Sequence, residues 1–264
     1  MEGAHRRPGR RGAVLPRVAL LVLGLAGALG SAACDGSGGV LPTDARLPST
    51  PGAPGAPGAP GAPGASTAAG GPVTCAPPPP LPTAVPTFST APPPRVAADT
   101  TWEVTVSTTC GDLRLVLDGR AAPRSVASFV TLARAGYWTD SVCHRLTSRQ
   151  APTAFLQCGD PSGRSTADPG YDLPLEQVPA DRTYRVGDVG LARGDDTAGT
   201  AGEFFVVHRD FTVPPGGVVY SLIGHVTAGQ QVVAYVAGKA GEDTRPDGPP
   251  FQSISVYAVR VAPR

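Results

Sequence analysis

The chain of 264 residues contains no asparagine and only one lysine, Lys239. Without asparagine, no side chain can accept an Asn-linked glycan. The formal net charge is only +1, and charged residues make up 16% of the chain. This balance gives neither the basic surface of a nucleic-acid-binding protein nor an acidic tail, so we expect no nucleic-acid partner.

The motifs of common hydrolases and metal sites are also missing. The sequence has no G-x-S-x-G and no H-E-x-x-H, so nothing predicts a serine or zinc hydrolase. The four histidines are scattered, and Cys143-His144 and Cys158 lack the paired spacing of a zinc site. We therefore predict no metal and no cofactor, and we expect His144 to be a buried structural side chain.

No apolar run is long enough to span a membrane comfortably, but the first 34 residues have the pattern of an export signal. Five arginines precede an apolar run from Val18 to Leu29, and small residues then lead to Cys34. A basic start, an apolar stretch of about 7–15 residues and small residues are typical of a signal peptide. Ala-Ala-Cys is similar to the cleavage site of bacterial lipoproteins. We expect residues 1–33 to be removed and a lipid on Cys34 to anchor the protein outside the cytoplasmic membrane; ordinary cleavage nearby is the alternative.

A segment rich in proline and glycine follows. Residues 35–98 hold 17 Pro and 10 Gly in 64 positions and show no helical or strand periodicity. From Gly52 to Ser66 the chain reads as five Gly-Ala-x triplets, too few for a collagen triple helix. Such a segment cannot bury enough apolar surface to fold. We predict that residues 34–98 form a disordered tether and that residues 99–264 form one folded domain.

The pattern of residues 99–264 predicts a mainly β fold with two helices. Apolar residues alternate in Thr101–Thr109, and Leu113–Leu117 follows a Gly-Asp turn, which predicts a hairpin. A helix is expected from Pro123 to a stop at Gly136, and a second at Gln230–Ala237. Further short strands are expected at 141–147, 154–158, 186–192, 203–208, 219–226 and 254–261. Many short strands with two helices favour a closed antiparallel barrel capped by helices.

Eight short motifs occur in a recognisable order within this domain. They are Ala122–Phe129, Gly136-Tyr137, His144-Arg145, Gln157–Pro161, Pro169–Tyr171, Leu191–Arg193, Phe204-Phe205 and Tyr220–Gly224. No single motif is specific, but together, in this order and spacing, they make residues 99–263 resemble the cyclophilins, the peptidyl-prolyl cis-trans isomerases. The resemblance implies a closed eight-stranded antiparallel barrel with a helix over each end and an outer groove that binds X-Pro peptides.

The resemblance also implies which residue is catalytic. Rotation about a peptide bond must break C–N resonance, a barrier of roughly 18–20 kcal/mol. A hydrogen bond to the prolyl nitrogen weakens that resonance, and a permanently charged arginine in a partly dry groove is a suitable donor. Arg145 falls where the family has its catalytic arginine.

The resemblance places seven further residues in the substrate groove: Phe155, Gln157, Ala192, Glu203, Phe205, Val213 and Tyr220. Phe205 is similar to the aromatic floor of the proline pocket, and strand alternation turns Phe204 the other way. Gln157 matches a glutamine that positions the arginine. Glu203 stands where glutamine is typical and is expected near Arg145, where it would either clamp the guanidinium or draw it away.

Two functions are compatible with these residues. The first is an isomerase that assists folding of exported or cell-wall proteins, since uncatalysed X-Pro isomerisation takes tens to hundreds of seconds. The second is a proline-peptide binding module or chaperone with little turnover, which Glu203 and the absence of tryptophan from residues 211–217 favour. In both cases we expect a monomer whose partners are X-Pro segments.

Four cysteines besides Cys34 predict disulfides in an exported chain. Cys143 and Cys158 lie on the arms of one predicted hairpin, which leaves Cys75 to pair with Cys110. Strand alternation opposes the 143–158 pair, because the two sulfurs would point to opposite faces unless a bulge near residues 146–156 shifts the register. Pairing of Cys110 with Cys143 or Cys158 stays open.

Overall fold

The computed structural model describes residues 71–264 except Ser165, Ala167, 194–198 and 240–244. The predictions on residues 1–70, including the signal peptide and Cys34, lie outside this part. Its helices are α1 (Pro123–Arg134) and α2 (Gln230–Gly238), with one 3-10 turn at Pro94–Val96. Its strands are β1 (Thr101–Thr108), β2 (Gly111–Asp118), β3 (Ser141–Val142), β4 (Arg145–Thr147), β5 (Phe155–Cys158), β6 (Asp172–Leu173), β7 (Thr183–Tyr184), β8 (Asp188–Arg193), β9 (Gly199–Val207), β10 (Phe211–Thr212), β11 (Leu222–Ala228), β12 (Asp247–Gly248) and β13 (Ser255–Pro263).

The described strands form one large antiparallel sheet that curls back on itself. Its order is β12-β4-β5-β9-β8-β11-β2-β1-β13-β3, with β6 paired to β9, while β7 and β10 pair separately. A bridge between Val142 and Asp160 joins the β3 end of this order to the chain just after β5. The mainly β prediction is confirmed, but the sheet has eleven strands rather than eight. The count rises because one expected strand, 141–147, is interrupted at Cys143-His144 and because β6 and β12 are two-residue additions.

Strand alternation builds the main core. Trp102, Val104 and Val106 of β1 are buried, whereas the residues between them are not. Helix α1 begins at Pro123, as predicted, because proline is preorganised for the first helical position and has no N–H to leave unpaired. The helix packs on the sheet through Phe129, whose ring centre lies 5.6 Å from that of Phe204.

Residues 71–98 correct the predicted domain boundary, and we call this segment the strap. It is not a disordered tether: Cys75 forms a disulfide with Cys110, and the Ala76 N–H donates to the Thr109 carbonyl at 2.8 Å. The Phe88 N–H donates to the Pro169 carbonyl at 2.7 Å, and the Phe88 ring lies edge-on to the Tyr171 ring. Val73 and Val85 also pack on the core. The apolar residues between the prolines therefore give the strap enough surface to dock.

The second disulfide joins Cys143 to Cys158, as predicted, but not by the expected means. The pairs Val142–Asp160 and Arg145–Gln157 have the same register, so no bulge lies between them. The backbone turns instead at Gly159, whose φ of 97° suits glycine, and a Cβ there would lie 2.7 Å from the Trp138 indole nitrogen.

Within the described residues, no helix is long and apolar enough to cross a bilayer.

Candidate functional site

Arg145 and Gln157 meet because they are direct partners in the β4–β5 ladder. Residues directly opposite each other on antiparallel strands point to the same face of the sheet. The Arg145 Nη1 donates a hydrogen bond to Gln157 Oε1 at 3.1 Å. On the other side of β5, Gln157 is paired with Phe205 of β9, so all three residues share one face. The predicted association of Arg145, Gln157 and Phe205 is therefore present in the structure.

The shortest side-chain hydrogen bonds of Arg145 go to Asp247, a residue that no sequence motif marked. Asp247 accepts from the Arg145 Nε at 2.8 and 2.9 Å and from Nη2 at 2.6 Å. Burial lowers the pKa of Arg145, but the hydrogen bond to Asp247 and its negative charge outweigh burial, so the pKa rises above the ordinary value. The guanidinium is thus a fixed cation held from two sides, by Asp247 and by Gln157.

An aromatic cluster adjoins this guanidinium. The Phe155 ring centre lies 4.8 Å from that of Phe205 and 5.8 Å from that of Tyr220. The Arg145 guanidinium carbon lies 5.1 Å from the Phe155 ring centre, a distance at which the cation is attracted to the ring face. Phe205 belongs to this cluster and Phe204 to the main core, as strand alternation predicted. Ala154 and Phe155 both belong to this cluster.

Gly190 fixes the position of the Phe205 ring from the neighbouring strand. It is the ladder partner of Phe205 in β8. A Cβ at position 190 would lie 2.3 Å from Phe205 Cζ and 2.8 Å from the Ser221 carbonyl oxygen. Because these distances are shorter than real Cβ atoms show, a side chain at position 190 would displace the Phe205 ring.

Two residues that were not predicted from the sequence, Tyr184 and Arg182, hold the edge of the cluster. The Tyr184 hydroxyl accepts from the Tyr220 N–H at 2.7 Å and donates to the Tyr220 carbonyl at 3.0 Å. Arg182 donates to the carbonyls of Val213, Pro214 and Gly217 at 2.9–3.0 Å. These bonds hold Tyr220 and the loop after β10 against the cluster. No local motif marks either residue, because their partners are about 30 or more positions away.

Glu203 is placed differently from the prediction that it clamps or competes for Arg145. It accepts a hydrogen bond from the Gln157 Nε2, and its Oε2 lies 3.6 Å from His144 Nε2. Gln157 therefore stands between Glu203 and Arg145, with its amide nitrogen toward the first and its amide oxygen toward the second. The carboxylate is thus linked to the guanidinium through this amide, and its charge also helps to raise the pKa of Arg145.

His144, Asp160 and Glu203 are the described side chains whose arrangement could hold a metal ion, with one ligand atom each within 4.8 Å of the others. Protein donors already engage both carboxylates. Glu203 accepts from Gln157, and Asp160 accepts from the N–H and hydroxyl of Ser162. We therefore interpret the cluster as polar support beneath Gln157.

The sequence of this chain is similar to those of known proteins. The family model described as cyclophilin type peptidyl-prolyl cis-trans isomerase/CLD matches residues 103–261. This chain belongs to the cyclophilin family. A probable peptidyl-prolyl cis-trans isomerase B of Mycobacterium tuberculosis is 36% identical over 156 residues, which are 54% of this chain and 50% of that protein. Its Mycobacterium leprae counterpart is 31% identical over 186 residues, or 64% and 61% of the two chains.

Two further similarities extend beyond the mycobacterial proteins. Peptidyl-prolyl cis-trans isomerase B of Bacillus subtilis is 32% identical over 130 residues, which are 48% of this chain and 85% of that protein. A crystal structure of a Cryptosporidium parvum cyclophilin type isomerase aligns with a TM-score of 0.49 at 20% identity, covering 61% of this chain and 98% of that one. The chain spans about half the length of the Mycobacterium tuberculosis relative that it matches.

The two remaining residues that the cyclophilin resemblance selected are Ala192 and Val213, and both are 5% exposed. Val213 packs in the aromatic cluster. Ala192 lies in β8, where the pairing with β9 shifts register between Leu191 and Arg193. Phe155, Phe205 and Tyr220 are also at most 8% exposed, so the cluster presents little ring surface to solvent.

Proposed function

We propose that this chain is a peptidyl-prolyl cis-trans isomerase that acts on X-Pro segments as a monomer. The observation that carries the proposal is the Arg145 guanidinium, fixed by Asp247 and Gln157 beside the Phe155–Phe205–Tyr220 cluster. Family membership and the names of the relatives support it. In this proposal the curled sheet acts as the closed barrel of the family, with the Val142–Asp160 bridge and the Cys143–Cys158 disulfide as its seam.

The proposed mechanism requires no covalent step. The prolyl ring packs against the aromatic cluster, which excludes water on one side of the X-Pro bond. Arg145 donates a hydrogen bond to the prolyl nitrogen as that nitrogen becomes pyramidal, which weakens C–N resonance and lowers the barrier of roughly 18–20 kcal/mol. Arginine is charged at neutral pH in any case, and Asp247 raises the pKa of Arg145 further, so this donor keeps its positive charge.

A protease-coupled assay with an X-Pro peptide tests the proposal. Arg145→Ala is expected to lower kcat/KM by at least about tenfold, which corresponds to about 1.4 kcal/mol of transition-state stabilisation. Arg185→Ala is the matched control, because Arg185 also pairs with aspartates, at Asp181 and Asp210, but lies at an exposed position. Equal activity of the wild type and the Arg145→Ala variant would contradict the proposal.

A proline-peptide binding module or chaperone is the second candidate, and the low exposure of Phe155, Phe205 and Tyr220 favours it. A covered cluster admits a prolyl ring only after side chains shift. Such a shift would reduce the rate of turnover while still allowing the peptide to bind slowly. This candidate predicts that an X-Pro peptide binds in calorimetry while the coupled assay shows no rate above the uncatalysed one. Catalysis that is lost in Arg145→Ala excludes it.

The proposal includes export and anchoring through a lipid on Cys34, with exported or cell-wall proteins as clients. Two disulfides within the domain support an oxidising compartment, because structural disulfides are rare in the cytosol. Cys34→Ala is expected to move the protein from the membrane fraction into the medium. Retention of the variant in washed membranes would contradict the lipid anchor.

A further inference from the structure

Asp247 reaches Arg145 because a short ladder attaches its segment to β4. Strand β12 pairs with β4 through Asp247–Thr147 and Gly248–Leu146. The Ser148 N–H also donates to the Pro246 carbonyl at 2.9 Å. Asp247 is opposite Thr147, and Arg145 lies two residues before Thr147, so Asp247 and Arg145 are diagonal neighbours on one face of the sheet. The backbone therefore sets the position of the carboxylate. Pro246 and Pro249 flank Asp247-Gly248, and their rings restrict the backbone conformation of this segment.

The carboxylate binds one edge of the guanidinium and leaves the opposite end accessible. Asp247 takes the Nε–H and one N–H of Nη2, and Gln157 takes one N–H of Nη1. Arginine has five such donors. The bonds to Asp247 and Gln157 therefore account for three of the five and leave one N–H on each terminal nitrogen. The guanidinium carbon lies 5.1 Å from the Phe155 ring centre, so these donors lie next to the aromatic cluster.

We propose that Asp247 is a positioning residue for the isomerase reaction: it holds the Arg145 guanidinium by its Nε edge so that the remaining donors meet the substrate beside the aromatic cluster. The inference rests on the proposed isomerase function. A free arginine side chain samples many rotamers, whereas a bidentate contact fixes the plane of its guanidinium. Preorganisation of this donor lowers the barrier because the donor does not have to be reoriented in the transition state.

The exposure of the pair separates positioning from a merely structural role. The Arg145 and Asp247 side chains are 37% and 39% exposed. Ion pairs at such exposure add little to folding stability, because water and salt screen them. Loss of the Asp247 charge should therefore change catalysis and leave the thermal midpoint nearly unchanged.

The experiment measures kcat and KM of the full chain for an X-Pro peptide, together with the thermal midpoint. Asp247→Asn is expected to lower kcat by about tenfold with little change in KM, since the contact acts on the transition state. Asp247→Glu should recover part of the loss because it restores a carboxylate. Asp181→Asn removes an aspartate from the exposed Arg185 pair and serves as the matched control, with wild-type kcat expected.

A double-mutant cycle completes the test. Asp247→Asn should have no further effect in the Arg145→Ala background, because the two residues act as one unit. Turnover that Arg145→Ala abolishes but Asp247→Asn leaves unchanged or raises would overturn this inference and leave the proposed function standing. A wild-type protein without turnover would overturn both.

Discussion

Tyr137 buries a hydroxyl next to acidic side chains. The residue is 1% exposed, and its hydroxyl has no hydrogen-bond partner among the described residues. Burial, followed by the charges of Asp168, Glu203 and Asp160, raises the pKa of Tyr137 well above its ordinary value of about 10. The folded protein therefore retains a proton that the unfolded chain releases in alkaline solution.

This retained proton predicts alkaline destabilisation. Above about pH 10 the unfolded state binds fewer protons than the folded state, so the free energy of unfolding falls as the pH rises. Tyr137→Phe should be as stable as the wild type or more so at pH 7, because it removes a buried hydroxyl without a partner, and its stability should fall less steeply above pH 10. Urea unfolding at pH 7 to 11 measures both quantities. A variant that loses more than about 1 kcal/mol at pH 7 would show that the hydroxyl is satisfied.

Glu203 offers a second prediction at this scale, because Gln157 depends on it for orientation. Glu203→Ala leaves the buried Gln157 amide without this acceptor, which should cost about 1–3 kcal/mol of stability and lower kcat. Glu203→Gln keeps an acceptor oxygen, so its kcat should stay within about threefold of the wild type. Chemical unfolding and the coupled assay compare the two variants. If Glu203→Gln is as damaging as Glu203→Ala, the charge matters rather than the hydrogen bond.

Secondary structure was predictable wherever one stretch of chain contains its own signal. The alternation of Trp102, Val104 and Val106 predicted β1, and Pro123 predicted the start of α1. Strand β12 has two residues and no periodicity, and its partner β4 lies 100 positions away. No local pattern could predict that pairing, so Arg145 was predictable from the sequence and Asp247 was not. The strap was mispredicted because average composition hid the few apolar residues that dock it.

The strap yields a prediction about the domain boundary. A chain that begins at residue 99 loses the packing of Val73, Val85 and Phe88 and the Cys75–Cys110 disulfide. A disulfide alone typically contributes about 2–4 kcal/mol. The shorter chain should therefore unfold at lower urea concentration than one that begins at residue 71, while both keep the β4–β5–β9 site. Equal urea midpoints of the two chains would show that the strap adds no stability and that the folded domain begins after residue 98.

At the scale of the whole molecule, the site is assembled from segments far apart in sequence. Arg145, Gln157 and Phe205 were predictable because the family resemblance supplied their roles and adjacent strands brought them together. Arg182, Tyr184 and Asp247 act through contacts across 31 to 102 positions and belong to no motif. The sequence therefore predicted the arginine proposed to be catalytic and the aromatic side chains beside it, whereas the residues that hold them needed the three-dimensional structure.

The Cys75–Cys110 disulfide determines how the fold carries mechanical load. A force applied to the chain before Cys75 is transmitted through the disulfide to Cys110, in the turn between β1 and β2. The rest of the strap and β1 therefore do not carry this force. The cysteines are 35 positions apart in sequence, and the residues between them lie in a covalent loop that force cannot extend. At about 3.3–3.6 Å per residue, this loop withholds roughly 120 Å of contour length until the disulfide is reduced. Single-molecule stretching of the oxidised protein and of Cys75→Ser should show this difference in released length.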